Sequence, residues 1–140
     1  MKRRKLSLLA AAGVVVAGAV ALVGGPAFAT GSGADLSHNG VGAYTDMTVY
    51  GGGSNITSVN IGHNDMTPGE SRCGRQAKFT GKLTDGTSYS STYGYTASCT
   101  ILPWGLSRSV NKNFVMGTNV TGQMYHDGAW APGWPTVRIS

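Results

Sequence analysis

The sequence predicts an all-β fold, an antiparallel β-sandwich of about seven strands with one disulfide. Short segments alternate between apolar and polar residues, as strands with one buried face do. Glycine, serine, threonine and asparagine are abundant, and no segment after residue 29 repeats apolar residues with helical spacing. Without helical crossovers the strands are expected to pair antiparallel. Two topologies fit this pattern, an immunoglobulin-like sandwich and a small β-barrel.

Residues 1–29 have the organisation of a cleaved signal peptide. The basic cluster Lys2-Arg3-Arg4-Lys5 precedes an apolar, alanine-rich run, and the helix-breaking Gly24-Gly25-Pro26 is followed by the small-residue pattern Ala27-Phe28-Ala29. We therefore expect a mature chain that begins at Thr30, is secreted, and has no membrane contact after cleavage.

Removal of the leader changes what the charge of the chain implies. The formal net charge is +5, but four of the eleven basic residues lie in the leader and none of the six acidic residues does. The seven remaining basic residues are dispersed, which argues against a nucleic-acid partner. About 110 residues remain, a length that suits one domain. We expect a single β domain at residues 41–140, preceded by a flexible, polar and glycine-rich arm at residues 30–40.

Each predicted strand is an alternating segment bounded by turn residues. Asp85-Gly86 and His126-Asp127-Gly128 are predicted turns, and Pro103-Trp104-Gly105 is a predicted connection. The predicted strands cover residues 41–50, 56–63, 76–83, 88–99, 108–116, 118–125 and 136–139.

Cys73 and Cys99 are the only cysteines, and in an exported protein they are expected to form a disulfide. The two strands that flank Asp85-Gly86 predict a hairpin. A register that places Cys73 opposite Cys99 predicts a three-residue loop or a one-residue bulge, with the disulfide closing the open end of the hairpin. That register pairs Leu83 with Tyr89, Phe79 with Tyr93, and Ala77 with Tyr95.

The sequence contains no recognisable catalytic pattern. His38, His63 and His126 lack the short spacings of zinc ligands, and no serine lies in a Gly-x-Ser-x-Gly turn. Gly51-Gly52-Gly53 lacks the lysine and the following helix of a phosphate-binding loop. We therefore expect no catalytic residue, no metal site and no cofactor, in a protein that is not an enzyme.

Two segments are candidates for recognition. Tyr125, His126, Trp130 and Trp134 place aromatic rings among polar groups, an arrangement that suits sugars or protein partners. Alternatively, one or both tryptophans fill an end of the core. The second candidate is an inhibitory loop formed by Met66, Thr67 and Pro68, close before Cys73, although turn formation accounts for the same residues.

The alanine-rich leader and the glycine-, serine- and threonine-rich remainder resemble the small, single-disulfide, β-rich proteins that high-GC Gram-positive bacteria export. That resemblance implies inhibitors, bacteriocins or non-catalytic subunits of secreted toxin assemblies. The leading hypothesis is a secreted, non-enzymatic protein-interaction module or subunit of an extracellular assembly, such as an antibacterial toxin. Its partner would be another secreted or cell-surface protein. The alternatives are a carbohydrate- or cell-wall-binding module and a secreted protease inhibitor.

Overall fold

The computed structural model describes residues 31–36, 44–64, 71–101 and 103–140, the first of these ranges as backbone only. All regular elements in these ranges are strands, so the all-β prediction is confirmed. The strands are β1 (Gly31–Leu36), β2 (Tyr44–Gly52), β3 (Asn55–Asn64), β4 (Ser71–Arg72), β5 (Arg75–Lys82), β6 (Ser88–Thr96), β7 (Thr100–Ile101), β8 (Trp104–Asn113), β9 (Asn119–His126), β10 (Ala129–Trp130) and β11 (Thr136–Arg138).

The strands form two antiparallel sheets that pack face to face. The first sheet has the order β1-β2-β3-β8, and the second has the order β10-β9-β5-β6, with β11 also paired to β9. The pair β4 and β7 extends the β5–β6 hairpin. Across the described residues the sheets do not close into a barrel. In an immunoglobulin sheet the second strand lies between the first and the fifth, whereas β2 lies between β1 and β3.

The inward-facing side chains of the two sheets form one core. At its centre Gly122 allows the sheets to approach, since a Cβ at this position would lie 3.0 Å from both Met47 Sδ and Ile61 Cδ1. The end of the core near the β5–β6 turn is aromatic, with the rings of Phe79, Tyr89 and Phe114 in edge-to-face contact. Other fully buried side chains include Val49, Ile56, Val59, Val120, Met124 and Ile139.

The disulfide Cys73–Cys99 is confirmed. The hairpin has a three-residue loop at residues 84–86, one residue before the position that the predicted register requires. The loop is closed by the hydrogen bond from Leu83 N to Thr87 O, at 2.9 Å. The predicted register is wrong over most of β5 and β6, because Ala77 pairs with Tyr93 and Gly81 pairs with Tyr89.

The difference arises because a register shift interrupts the pairing of β5 with β6. The register shifts between Arg75 and Ala77, opposite Gly94, whose φ of +72° suits glycine. A further shift before the disulfide restores the predicted register in the adjoining pair, Arg72 with Thr100. The strand pairing expected at the cysteines therefore holds at the open end of the hairpin and not near its turn.

Two other segments differ from the sequence-based expectation. Gly31–Leu36, part of the expected arm, forms strand β1 and pairs with β2. Trp104, expected in a connection, begins β8 and pairs with His63. Because β8 begins and ends earlier than predicted, Met116 lies outside it and is 52% exposed.

Candidate binding face

A tight turn brings the tryptophan-containing segment back along β9. Asp127 and Gly128 both have positive φ, at 51° and 85°, and they join His126 to its strand partner Ala129. Glycine and aspartate tolerate this conformation better than most residues. The turn thus places Trp130 directly opposite Tyr125, with ring centroids 5.3 Å apart.

Strands β10 and β11 are two parts of one interrupted edge strand. Ala131 N donates to Met124 O at 2.7 Å, and Gly122 N donates to Pro135 O at 3.0 Å. Residues 132–134 therefore stand opposite Gln123 alone, and the Gln123 side chain donates to Ala131 O at 3.1 Å. Backbone and side-chain hydrogen bonds thus hold this segment at both ends of the interruption.

Both tryptophans lie on the outer surface of the second sheet. Trp130 is 37% exposed and Trp134 is 57% exposed, whereas Ala131, Gly133 and Pro135 are buried. The alternative in which the tryptophans fill the core is therefore wrong. Alternation along the edge strand turns the small residues and one proline inward and both indole rings outward.

Neighbouring strands add polar groups to these rings. Lys78 Nζ lies 5.9 Å from the centroid of the Trp130 ring, within the range of a cation–π contact. A shallow cleft of about 80 Å³ is lined by Lys78, Thr80, Thr121, Gly122, Gln123 and Trp134. Such a volume is well below that of a pocket that encloses a small molecule. We call Lys78, Gln123, Tyr125, Trp130 and Trp134 the tryptophan face.

Of the four residues named from the sequence for this candidate site, three lie together and one does not. Tyr125, Trp130 and Trp134 belong to the tryptophan face. His126 follows Tyr125 in the same strand, points to the inner side of the sheet and is only 2% exposed. Lys78 and Gln123 were not among the residues predicted from the sequence for this candidate site. The alternation of residues in β5 and β9 could have indicated them, because it places both side chains on the same side of the sheet as Tyr125.

His126 instead joins a buried cluster at the end of the sandwich opposite the aromatic triad. Its ring centroid lies 4.6 Å from that of His63, which contacts Trp104 in turn. The guanidinium of Arg75 lies over the Trp104 ring at 5.0 Å. In the described part of the chain, no group of three or more histidine, cysteine or carboxylate side chains converges as a metal site would require.

Asp127 ties this end of the second sheet to the disulfide region. Its Oδ1 accepts a hydrogen bond from Cys73 N at 2.9 Å, and its Oδ2 lies 3.1 Å from His126 Nδ1 and 3.4 Å from Arg72. Burial opposes ionisation, but the Cys73 amide, His126 and Arg72 outweigh it and hold the pKa of Asp127 below its ordinary value. The carboxylate therefore has a structural role as a cross-link between strands.

The outer face of the first sheet presents a different cleft. Gly62 and Gly105 are paired across β3 and β8, and the side chains of Asp46, Asn60 and Asn64 surround them. Partial burial raises the pKa of Asp46, although hydrogen bonds from its own backbone and from Asn64 act in the opposite direction. The lining of this cleft also includes Pro103 and Trp104, so it combines two amides and one carboxylate with a proline ring and an indole.

The alternative inhibitory loop, Met66, Thr67 and Pro68, lies outside the described residues, as does the leader. In the described part of the chain, no helix is long and apolar enough to cross a membrane. Comparisons with protein-family models, curated proteins and solved structures found no match to this chain.

Proposed function

We propose that the chain is an exported, non-catalytic module that binds carbohydrate through the tryptophan face. The observation that carries this proposal is the fixed display of Trp130 and Trp134 on an outer sheet surface beside Gln123 and Lys78. The leader at residues 1–29 supports export. The absence of any catalytic pattern in the sequence supports a binding role.

The composition of the face favours a sugar over the protein partner that heads the sequence-based hypotheses. Indole rings present flat apolar surfaces, and the surrounding ammonium, amide and hydroxyl groups can hydrogen-bond to ligand hydroxyls. A protein interface would be expected to have a continuous apolar centre. Here the side chains around the rings are Lys78, Thr80, Thr121 and Gln123.

The backbone that carries Trp134 is also held in place before a ligand arrives. Hydrogen bonds at Ala131 and Pro135 fix the backbone on either side of Trp134, so little conformational entropy would be lost on binding. The shallow cleft would leave most of a ligand exposed, which suits a chain of sugars that crosses the surface. We therefore infer binding to a polysaccharide rather than to a free monosaccharide.

The test is binding of the exported protein to an array of bacterial and plant polysaccharides. The full chain is expressed in a bacterial host, and mass spectrometry of the product determines whether it begins at Thr30. Trp134→Ala should weaken binding at least tenfold, roughly the effect of losing a central aromatic contact. The control Tyr50→Ala removes a ring that is 46% exposed on the first sheet and should leave binding unchanged.

Two outcomes would contradict carbohydrate binding. One is no detectable binding of any polysaccharide by the exported wild-type protein. The other is equal binding by the wild type and Trp134→Ala. Circular dichroism of both variants would establish that they are folded.

A protein partner is a second candidate because β6 is an edge strand of the second sheet. Its nine residues, Ser88–Thr96, contain no proline and no charged side chain that would block strand addition. A protein retrieved from the native secretome equally well by the wild type and Trp134→Ala would favour this candidate. Loss of the protein with Trp134→Ala would instead assign it to the tryptophan face.

A further inference from the structure

The outer face of the second sheet is positively charged. Its outward residues on β5 include Lys78 and Lys82, and Arg138 on β11 pairs with the outward Asn119 of β9. None of these three cations makes an ion pair with a described residue. The remaining outward residues of β5, β6, β9 and β11 in the paired register are Gln76, Thr80, Ser88, Ser90, Thr92, Asn119, Thr121, Gln123, Tyr125 and Thr136.

Two carboxylates of the described residues lie near this sheet, in turns at its ends. Asp85 is in the β5–β6 loop and accepts hydrogen bonds from Thr87, and Asp127 is held by Cys73 and Arg72. Neither lies among the outward strand residues, so the face has three cations and no carboxylate in its described strands.

The two outer surfaces of the sandwich have opposite charge. On β2, β3 and β8 the outward residues around the first-sheet cleft include Asp46 but no lysine or arginine. Three of the seven basic residues that follow the leader therefore lie on the surface that displays the tryptophans.

The cations extend away from the rings along the strands. Lys78 lies at the cleft beside Trp134, and Lys82 is four residues further along β5, a separation of about 13 Å for an extended strand. Arg138 lies on the opposite side of β9 toward the same end of the sheet. A ligand stacked on the rings could thus place further anionic groups near the second and third cations.

We propose that the ligand of the tryptophan face is an acidic polysaccharide, an inference that rests on the proposed carbohydrate-binding function. A sugar ring stacks on Trp134 while Lys78 binds the anionic group of that sugar or of its neighbour. Lys82 and Arg138 attract anionic groups further along the polymer. Carboxylated sugars and phosphate-bearing sugars share this chemistry.

The experiment compares an acidic polymer with its uncharged ester, which has the same backbone, and with a second acidic polymer whose anionic group is a phosphodiester. Polygalacturonate, its fully methyl-esterified form and a phosphodiester-bearing mannan are titrated into the exported protein by calorimetry at 20 and 200 mM NaCl. At least one acidic polymer should bind about tenfold more tightly than the esterified polymer at low salt, and its affinity should fall severalfold at high salt. Preference between the two acidic polymers identifies the carboxylate or phosphate source.

Variants separate charge recognition from ring stacking. Lys82→Gln together with Arg138→Gln, both outside the tryptophan face, should reduce the affinity for the acidic polymer toward that of the esterified one and leave the latter unchanged. Lys78→Gln should weaken binding of both polymers, and that of the acidic polymer more strongly. The control Lys112→Gln removes a cation of β8, outside the tryptophan face, and should preserve the preference.

Equal, salt-insensitive binding of the acidic and esterified polymers would overturn this inference and leave the carbohydrate-binding function intact. Failure of every polysaccharide to bind would instead remove the proposed function itself. A single-stranded oligonucleotide of matched charge that bound more tightly than the acidic polymers would also overturn the inference and assign the face to nucleic acid.

Discussion

Among the described side chains, the outer face of the first sheet has one carboxylate and two tyrosines among amides, hydroxyls and glycines, whereas the outer face of the second sheet has three cations and the two exposed tryptophans. Both sheets direct their apolar residues inward, and both use regular antiparallel pairing. Their outward residues are free to differ because a strand alternates its side chains between two faces. The inward-facing side chains of both sheets therefore determine the fold, while the outward-facing side chains of each sheet determine what its surface can bind.

The two sheets also differ in their cross-links. The disulfide and the Asp127 turn both lie at the same end of the second sheet. Replacing both cysteines by serine should lower the free energy of unfolding by about 3 kcal/mol, because the unfolded chain gains the entropy of an open loop. Urea denaturation of the double variant provides the measurement, and a loss below about 1 kcal/mol would show that the cross-link contributes less than its loop length implies.

Alanine substitutions at two glycines compare how well the inner and outer sides of the sandwich tolerate an added methyl group. Gly122→Ala should destabilise by about 1 to 3 kcal/mol, because the new Cβ presses on the buried Met47 and Ile61 side chains. At Gly62 a Cβ would meet the carboxylate of Asp46, an outward side chain that can rotate away, so Gly62→Ala should cost about 0.5 kcal/mol or less. Thermal unfolding of the pair measures the contrast, and equal effects would contradict it.

Asp127 provides a prediction with a defined pH dependence. Asp127→Asn should cost about 1 kcal/mol at pH 7, since charge-assisted hydrogen bonds are lost but the site is partly solvated. Because its pKa is lowered in the fold, the aspartate stabilises above its unfolded pKa of about 3.9 and loses this contribution as the pH falls through the folded value. The difference between the variant and the wild type should therefore shrink in acid, which urea denaturation at pH 7 and pH 3 would measure.

Asp46 should behave in the opposite way and with the smallest effect. Its raised pKa means that the folded state favours the protonated carboxyl, so stability is lost as the pH rises through the folded pKa. Asp46→Asn should therefore stabilise at pH 7, by no more than about 0.5 kcal/mol after solvent screening. The same denaturation series measures it, and destabilisation at pH 7 would indicate that the hydrogen bond with Asn64 outweighs the burial of charge.

Local patterns in the sequence predicted much of the fold. Alternation located β2, β3, β5 and β9 within a few residues, and Asp85-Gly86 marked the hairpin turn. The disulfide followed from there being two cysteines in a chain with a predicted export leader. These features depend on residues that are close in sequence or, for the cysteines, on the only pairing available.

Features that depend on interrupted pairing were not predictable in the same way. Gly94 stands between Tyr93 and Tyr95 in a run that reads as continuous alternation, so the register shift opposite it left no clear signal. The exposure of Trp134 depends on how residues 132–134 lie against Gln123 of the neighbouring strand. This contact between strands cannot be read from the local sequence pattern. Tyr125, Trp130 and Trp134 could be proposed from the sequence because aromatic residues are clustered there. Lys78 and Gln123 could not be placed beside them without knowing that β5 and β9 are adjacent strands.

The interruption between β10 and β11 has a consequence for self-association. A regular edge strand would offer a row of unpaired amides and carbonyls to a second molecule, and such edges can start aggregation. Pro132 and Pro135 have no amide hydrogen, and the displaced backbone around Trp134 breaks the continuous ladder that strand addition requires. The segment that displays the rings thereby also keeps this side of the protein from joining its own copies.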